Sequence, residues 1–144
     1  MMGHMDKREP VTKEVLALYG FRGTPGRVAL YELLALQVAP VTAEYLEREL
    51  GAQLDRGTLY RALEAFIEEG MVIEYDFGHR HAHYELAHEK PHHHHAVCED
   101  CGKIEDIPAH DTPHFTRLAL KDARGFKSLE RHSTTFYGRC TSCA

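Results

Sequence analysis

All four cysteines of this chain fall in two Cys-x-x-Cys pairs, Cys98/Cys101 and Cys140/Cys143. The spacing lets both sulfurs of a tight turn point at one ion. Two such turns supply the tetrahedral all-thiolate set that suits a structural Zn2+. Gly102 and Gly138 lie beside the pairs and relax the backbone there. The competing readings are two redox couples or two local disulfides. A thioredoxin-type pair sits in a βαβ context absent here. Residues 1–10 are polar and charged without a signal-peptide pattern, and no apolar run approaches the roughly 18 residues of a membrane span. The expected compartment is therefore the cytoplasm, which disfavours disulfides. A zinc site at this position pins the end of the chain to an earlier turn, within a small domain that cannot otherwise fill its core.

The chain has 144 residues, enough for one domain or two small ones. Residues 11–73 read as helix after helix. A short amphipathic helix over 11–19 carries Val15, Leu16 and Leu18 as its apolar residues. Thr24 is a predicted N-cap with Pro25 at the first helical position. The helix that follows presents Val28, Ala29, Leu30, Leu33 and Leu34 and stops before Pro40. Thr42 caps a third helix with Leu46 and Leu50 inward, ended by Gly51. A fourth opens at Asp55-Arg56-Gly57-Thr58, buries Leu59, Leu63, Phe66 and Ile67, and closes at Gly70. Strands over 71–73 and 83–86 follow, with Gly78 in the turn between them. A β-hairpin after a helical bundle is the layout of a winged helix. Residues 87–91 are polar and proline-ended and read as a hinge. Beyond them come strands over 92–97 and 103–107 around a turn, a helix over 115–123, and a last strand over 128–137. The fold expected is α+β. A winged helix-turn-helix DNA-binding domain (1–86) is joined by the hinge (87–91) to a small α/β dimerisation and metal-binding domain (92–144).

Histidine is the compositional outlier, with twelve residues, eight of them between positions 79 and 95. Such enrichment points to metal binding. The run 92–95 is internal, unlike an expression tag. In a strand, His92 and His94 point one way and His93 and His95 the other, so one run can supply two ligands to each of two sites. Imidazole with carboxylate suits divalent metals such as Zn2+, Fe2+, Mn2+, Co2+ or Ni2+. Candidates to complete the sites are His83, Glu85, His88, Glu105, Asp106, His110, Asp111, His114 and His132. His79 and His81 fall at the wing tip, toward solvent or phosphate.

Arg56-Gly57-Thr58-Leu59-Tyr60-Arg61 begins the fourth helix, where a recognition helix presents its first turns to the major groove. Thr58 and the backbone N–H groups suit phosphate. Arg61 suits phosphate or a guanine edge, and Tyr60 a thymine methyl. Lys13, Arg22, Arg27 and Arg56 are further basic groups for DNA. Charge opposes the reading: the chain carries -5 overall, and residues 1–73 hold eight Lys/Arg against eleven Asp/Glu. Binding to phosphate is then expected to be conditional on bound cations or on a dimer that aligns the few basic side chains.

With those residues in hand, the chain resembles the ferric uptake regulator superfamily of bacterial metal and peroxide sensors. The likeness runs from about Arg22 to Cys143. It is carried by Thr24-Pro25-Gly26-Arg27, Gly57-Thr58-Leu59-Tyr60-Arg61, Glu69-Gly70-Met71-Val72, the run 92–95, Cys98-Glu99-Asp100-Cys101-Gly102-Lys103 and Tyr137-Gly138-Arg139-Cys140-Thr141-Ser142-Cys143. The resemblance implies a homodimer that binds AT-rich inverted repeats of double-stranded DNA when loaded with a regulatory divalent metal, Fe2+, Mn2+ or Zn2+. It implies repression of metal-uptake or metal-homeostasis genes. By position, Cys98, Cys101, Cys140 and Cys143 match the structural zinc ligands. His93 and His95 match a hinge regulatory site, which Glu85 and Asp106 often complete. His92, His94 and His132 match a second site, in which His114 falls where the family often has glutamate. Tyr60 matches a base-contacting tyrosine and Arg61 the arginine beside it. The chain departs in having Pro40 where a DNA-domain histidine is frequent, so the hinge site must borrow Glu85, His83 or His88. It also lacks the fifth cysteine common in zinc-uptake regulators.

No His-Glu-x-x-His or deaminase pattern is present, and a four-cysteine site is closed, so the chain is not expected to be an enzyme. Two alternatives stand beside the repressor: a peroxide sensor of the same family, and a metal buffer that does not bind DNA.

Overall fold

The computed structural model describes residues 8–87, 92–109, 113–130 and 132–144, with the backbone alone at 8, 9, 113 and 114. The chain divides into two compact units, Met1–Lys90 and Pro91–Ala144. Residues 88–91 of the expected hinge lie outside the described residues.

Among the described residues, the first unit has four α-helices: α1 (Arg8–Leu18), α2 (Pro25–Ala35), α3 (Ala43–Leu50) and α4 (Arg56–Glu68). Three of them start at side-chain caps. Thr24 accepts from the Arg27 N–H, Thr42 from Tyr45 and Asp55 from Thr58, at 3.4, 3.1 and 2.9 Å. Each bond satisfies one of the four donors that a helix start leaves open. Helix α4 ends at Gly70, whose φ of 77° is open to glycine at little cost. Gly70 N–H bonds to Ile67 and Met71 N–H to Phe66, at 3.0 and 2.9 Å, the paired bonds of a Schellman end. That stop turns the chain into the wing hairpin, β2 (Val72–Asp76) and β3 (Ala82–Leu86), paired antiparallel from Val72↔Leu86 to Asp76↔Ala82. A two-residue strand, β1 (Val41–Thr42), pairs with β3 on its other edge. It is absent from the expectation because two residues carry no alternation. Leu16, Leu30, Leu46, Leu59, Leu63 and Phe66 are fully buried or nearly so and form the centre of the core.

Leu18 departs from the expectation: it is 84% exposed, while Leu16 is wholly buried. Two residues along a helix is about 200° of rotation, so both cannot face one core.

Among the described residues, the second unit is a three-stranded sheet in the order β5-β4-β6 with one helix. Its elements are β4 (His93–Cys98), β5 (Ile104–Pro108), α5 (Pro113–Asp122) and β6 (Thr135–Gly138). Strands β4 and β5 are antiparallel and joined by the Cys98–Gly102 turn, where Gly102 N–H bonds to Cys98. Strand β6 lies parallel to β4, His95 opposite Thr135 and Cys98 opposite Gly138. It is much shorter than the 128–137 expected. The register explains this, because β4 begins at His93 and leaves residues before about 133 with no strand to pair. Among the described residues of this unit the buried apolar ones are Val97 and Cys98, and two buried imidazoles, His94 and His95, stand beside them. Apolar burial alone is too small here to hold such a unit.

Candidate functional site

The parallel pairing of β4 and β6 carries both cysteine pairs to one end of the sheet. Cys98 closes β4, and its neighbour Glu99 donates its N–H to the Gly138 carbonyl at 2.8 Å. The four sulfurs lie within 4.8 Å of one another, with Cys101 and Cys140 3.7 Å apart. That separation is far beyond a disulfide bond and close to the edge of about 3.8 Å of a tetrahedron with Zn–S bonds near 2.3 Å. The backbone N–H groups of Cys101 and Cys140 point at the Cys98 sulfur, at 3.5 and 3.3 Å. They hold that thiol down to about 6. The thiol of Cys143 is pushed up to about 12, chiefly by sharing hydrogen bonds with the Cys140 and Cys101 sulfurs. A thiolate at Cys98 is easy here, and one at Cys143 is opposed by its sulfur neighbours unless a cation takes up the charge. The donor set and its geometry fit a structural Zn2+.

Three histidines of the run lie on β4, with His92 just before it, and the four divide between two sides as the alternation requires. His92, His94 and His132 gather on one side, with ring centroids 5.1 Å (92–94), 5.0 Å (92–132) and 5.4 Å (94–132) apart. One ring nitrogen of each lies within 4.8 Å of the others. Phe115 packs on the His132 ring at 5.2 Å and Phe136 on His94 at 6.4 Å, so aromatic carbon backs the imidazoles. The side chain of His114, expected here, lies outside the described residues.

His93 and His95 turn to the other side, 5.0 Å apart. Asp106 stands opposite His95 in the β4–β5 register. Its two oxygens lie 3.7 Å from His93 Nε2 and 3.5 Å from His95 Nε2. Those gaps are too wide for hydrogen bonds. They match the edge of about 3.4 Å expected between ligands at 2.1 Å from a tetrahedral ion. Two imidazoles and a carboxylate make a donor set for a divalent transition metal.

The remaining candidates lie apart from these groups or in the first unit. Glu105 is exposed and pairs with Lys103 at 3.1 Å. Glu85, on β3, is buried and accepts from the Tyr75 hydroxyl at 3.3 Å. His83 is turned into the wing, its ring 5.3 Å from Phe77 and its Nδ1 3.2 Å from the His81 carbonyl. Burial pushes this imidazole below its ordinary range. His88, His110 and Asp111 lie outside the described residues.

Helix α4 buries Leu59, Leu63 and Phe66 and leaves Arg56, Tyr60 and Arg61 exposed on its outer face. The Arg56 guanidinium sits 5.9 Å over the Tyr60 ring and 3.8 Å from Glu47 on α3. Arg27, at the start of α2, lies over Phe21 at 5.5 Å and donates to the Arg22 carbonyl. Thr58, expected among the DNA-contacting residues, lies in the first turn of this helix. Thr58 gives both its N–H and its hydroxyl to Asp55, each at 2.9 Å. Those bonds hold the Asp55 carboxyl below its ordinary range. Sequence reasoning placed Asp55 only at the opening of this helix, where aspartate is a favoured N-cap.

Three comparisons bear on this arrangement. The family model described as "Ferric uptake regulator family" matches residues 19–137. The chain is 32% identical over 134 residues to the peroxide operon regulator of Bacillus subtilis, covering 91% of this chain and 90% of that protein. It is 33% identical over 136 residues to the ferric uptake regulation protein of Campylobacter jejuni, covering 91% and 85%. The crystal structure of the Vibrio cholerae ferric uptake regulator superposes with a TM-score of 0.71 at 28% identity, covering 89% of this chain and 98% of that one. By name, all three relatives are regulators.

Proposed function

The chain belongs to the ferric uptake regulator family, and from that premise we propose that it is a repressor of metal-uptake or metal-homeostasis genes, binding AT-rich inverted repeats as a metal-loaded homodimer. DNA-binding regulation in response to metal is the general kind of activity of this family. The observation that carries the finer reading is the division of one strand's histidines between two donor clusters, with a separate all-cysteine cluster at the strand's end. A closed thiolate set is suited to structure, and mixed imidazole and carboxylate sets to a metal that comes and goes.

In this reading the Cys98, Cys101, Cys140 and Cys143 set holds Zn2+ and keeps the second unit folded. His93, His95 and Asp106, joined by Glu85, hold the regulatory metal. His92, His94 and His132 form the second metal site. A ligand from the first unit lets metal select one orientation of the DNA-binding unit, by a coupling of about 1–3 kcal/mol. Arg27, Arg56, Tyr60 and Arg61 then meet the duplex. A homodimer is supported by apolar surface on the second unit, where Phe115, Leu118, Phe126, Phe136 and Tyr137 are each 45–66% exposed.

The test is binding to a pool of AT-rich inverted-repeat duplexes by protein with its thiolate zinc intact. Chelator-treated protein is compared with additions of Mn2+, Fe2+, Zn2+ or Ni2+. Affinity that rises with one metal at lower concentration than the others supports the reading; flat weak binding under all four removes it.

A second reading is favoured by the likeness to the Bacillus subtilis peroxide regulator. Iron held by His93, His95 and Asp106 would let peroxide oxidise a ligand histidine. A mass gain of one oxygen on His93 or His95, dependent on iron and peroxide, is its signature. The absence of that gain in iron-loaded protein rejects it.

A further inference from the structure

This inference rests on the reading that α4 meets DNA through Arg61. Both oxygens of Asp55 are engaged by Thr58, one with its N–H and the other with its hydroxyl. With its proton committed to Asp55, the Thr58 hydroxyl oxygen is left as an acceptor, and Arg61 Nη2 donates to it at 3.2 Å. Carboxylate, hydroxyl and guanidinium thus form one chain of bonds across the first turn of α4. The guanidinium lies back over Gly57. A Cβ at that position would stand 3.1 Å from Arg61 Nη1 and 3.5 Å from Asp55 Oδ1. Gly57 therefore leaves the room that the folded-back arginine occupies.

Two physical consequences follow. A helix start ordinarily attracts phosphate with its open N–H groups, but here a carboxylate already fills that role and its charge repels phosphate. Arg61 meanwhile spends one of its five N–H donors on Thr58 and keeps the others. The bond to Thr58 biases its rotamer before any partner arrives, which lowers the ordering cost of contact. Guanine presents O6 and N7 in the major groove to such a fork.

We propose that Asp55 and Thr58 are positioning residues, which aim Arg61 at one guanine edge of the operator and keep the start of α4 from holding phosphate regardless of sequence.

The test uses holo protein with Mn2+ and a labelled duplex selected by the wild-type protein from a random inverted-repeat pool. Each G·C pair of that duplex is replaced in turn, and a scrambled duplex reports sequence-independent binding. Thr58→Val keeps the cap, because the backbone N–H still reaches Asp55. It should lower discrimination at one G·C pair about tenfold and leave scrambled-duplex affinity unchanged, with Thr58→Ser restoring discrimination. Asp55→Ser also retains a capping side chain. It should lower discrimination at the same pair while tightening scrambled-duplex binding, since a negative charge is gone. Gly57→Ala should lower discrimination by a few-fold with no fall in the thermal midpoint, alanine being the better helix former. A merely structural cap would weaken both duplexes by one factor, and that result for Thr58→Val overturns the proposal. Wild-type discrimination in Thr58→Val overturns it also. Arg61→Ala separates the two levels. If it binds both duplexes as wild type does, the assignment of α4 to DNA through Arg61 fails and the proposal with it. If it loses discrimination while Thr58→Val does not, the positioning role alone fails.

Discussion

Single residues carry more of this molecule's behaviour than their exposure suggests. Arg61 is exposed, yet its reach depends on bonds within its own helix turn. Arg61→Ala is expected to weaken binding to a selected duplex by at least about tenfold with no change in metal content, read by anisotropy and by elemental analysis of the same sample. His83 is the opposite case, a buried imidazole whose pKa is lowered by loss of water. Its unfolded value is the higher one, so the unfolded chain takes up the proton first as pH falls. The stability of the neutral form is complete above 6.5 and is lost as pH drops from there toward the folded value. His83→Gln should flatten that part of the stability–pH curve, as measured by urea unfolding across the range. If the variant and the parent run parallel, His83 does not titrate in the fold. The residues that sequence alone could place were those with a local rule. The cysteine pairs and the alternating histidines follow from spacing and period. The wing packing of His83 against Phe77 did not, since it depends on where the hairpin loop folds.

At the scale of elements, the caps were legible because a cap is a fixed offset along the chain. Thr42→Ala removes the side chain that closes α3. It should cost about 1 kcal/mol, seen as a shift of the denaturant midpoint without a change in slope. The two elements misread, β1 and β6, are both defined by partners far along the sequence. Val41 and Thr42 become a strand because Tyr84 and His83 lie opposite. The last strand cannot start before β4 starts, because the two run parallel, although the residues from 128 read as strand by themselves. Strand limits are set by the neighbour's length, and no periodicity within a segment contains that information. The side of β4 on which each imidazole falls was readable, because a strand's period is fixed whatever its partner.

For the whole molecule, charge and metal act together. The first unit has few basic groups, and Lys13, Arg22, Arg27, Arg56 and Arg61 are the ones named for DNA. Five per subunit make ten in a dimer, so the slope of log K against log salt should be shallower than about −9. A steeper slope would mean that other residues meet phosphate. Removing zinc from the four-cysteine cluster should unfold the second unit while the helices of the first persist. Circular dichroism would show a partial loss, and gel filtration would show the loss of the dimer. Unchanged spectra after complete removal would mean that the apolar contacts of the second unit suffice alone.

The parallel alignment of β4 with β6 has a consequence for the order of assembly. Neighbouring strands in a hairpin close a short loop, whereas Cys101 and Cys140, which meet at the end of this pair, are 39 positions apart. Bringing such distant points together costs about 3 kcal/mol in chain entropy. The thiolate clasp meets that cost at one end of the strand pair. Zippering of the pair from the clasp then carries His132 up to His92 and His94 at the other end. In the proposed reading the thiolate-bound ion is therefore expected to come first, with the imidazole trio forming as a site only after it. On that order, a newly made chain short of zinc is expected to respond weakly to the second metal, which titration of that metal into zinc-free protein checks.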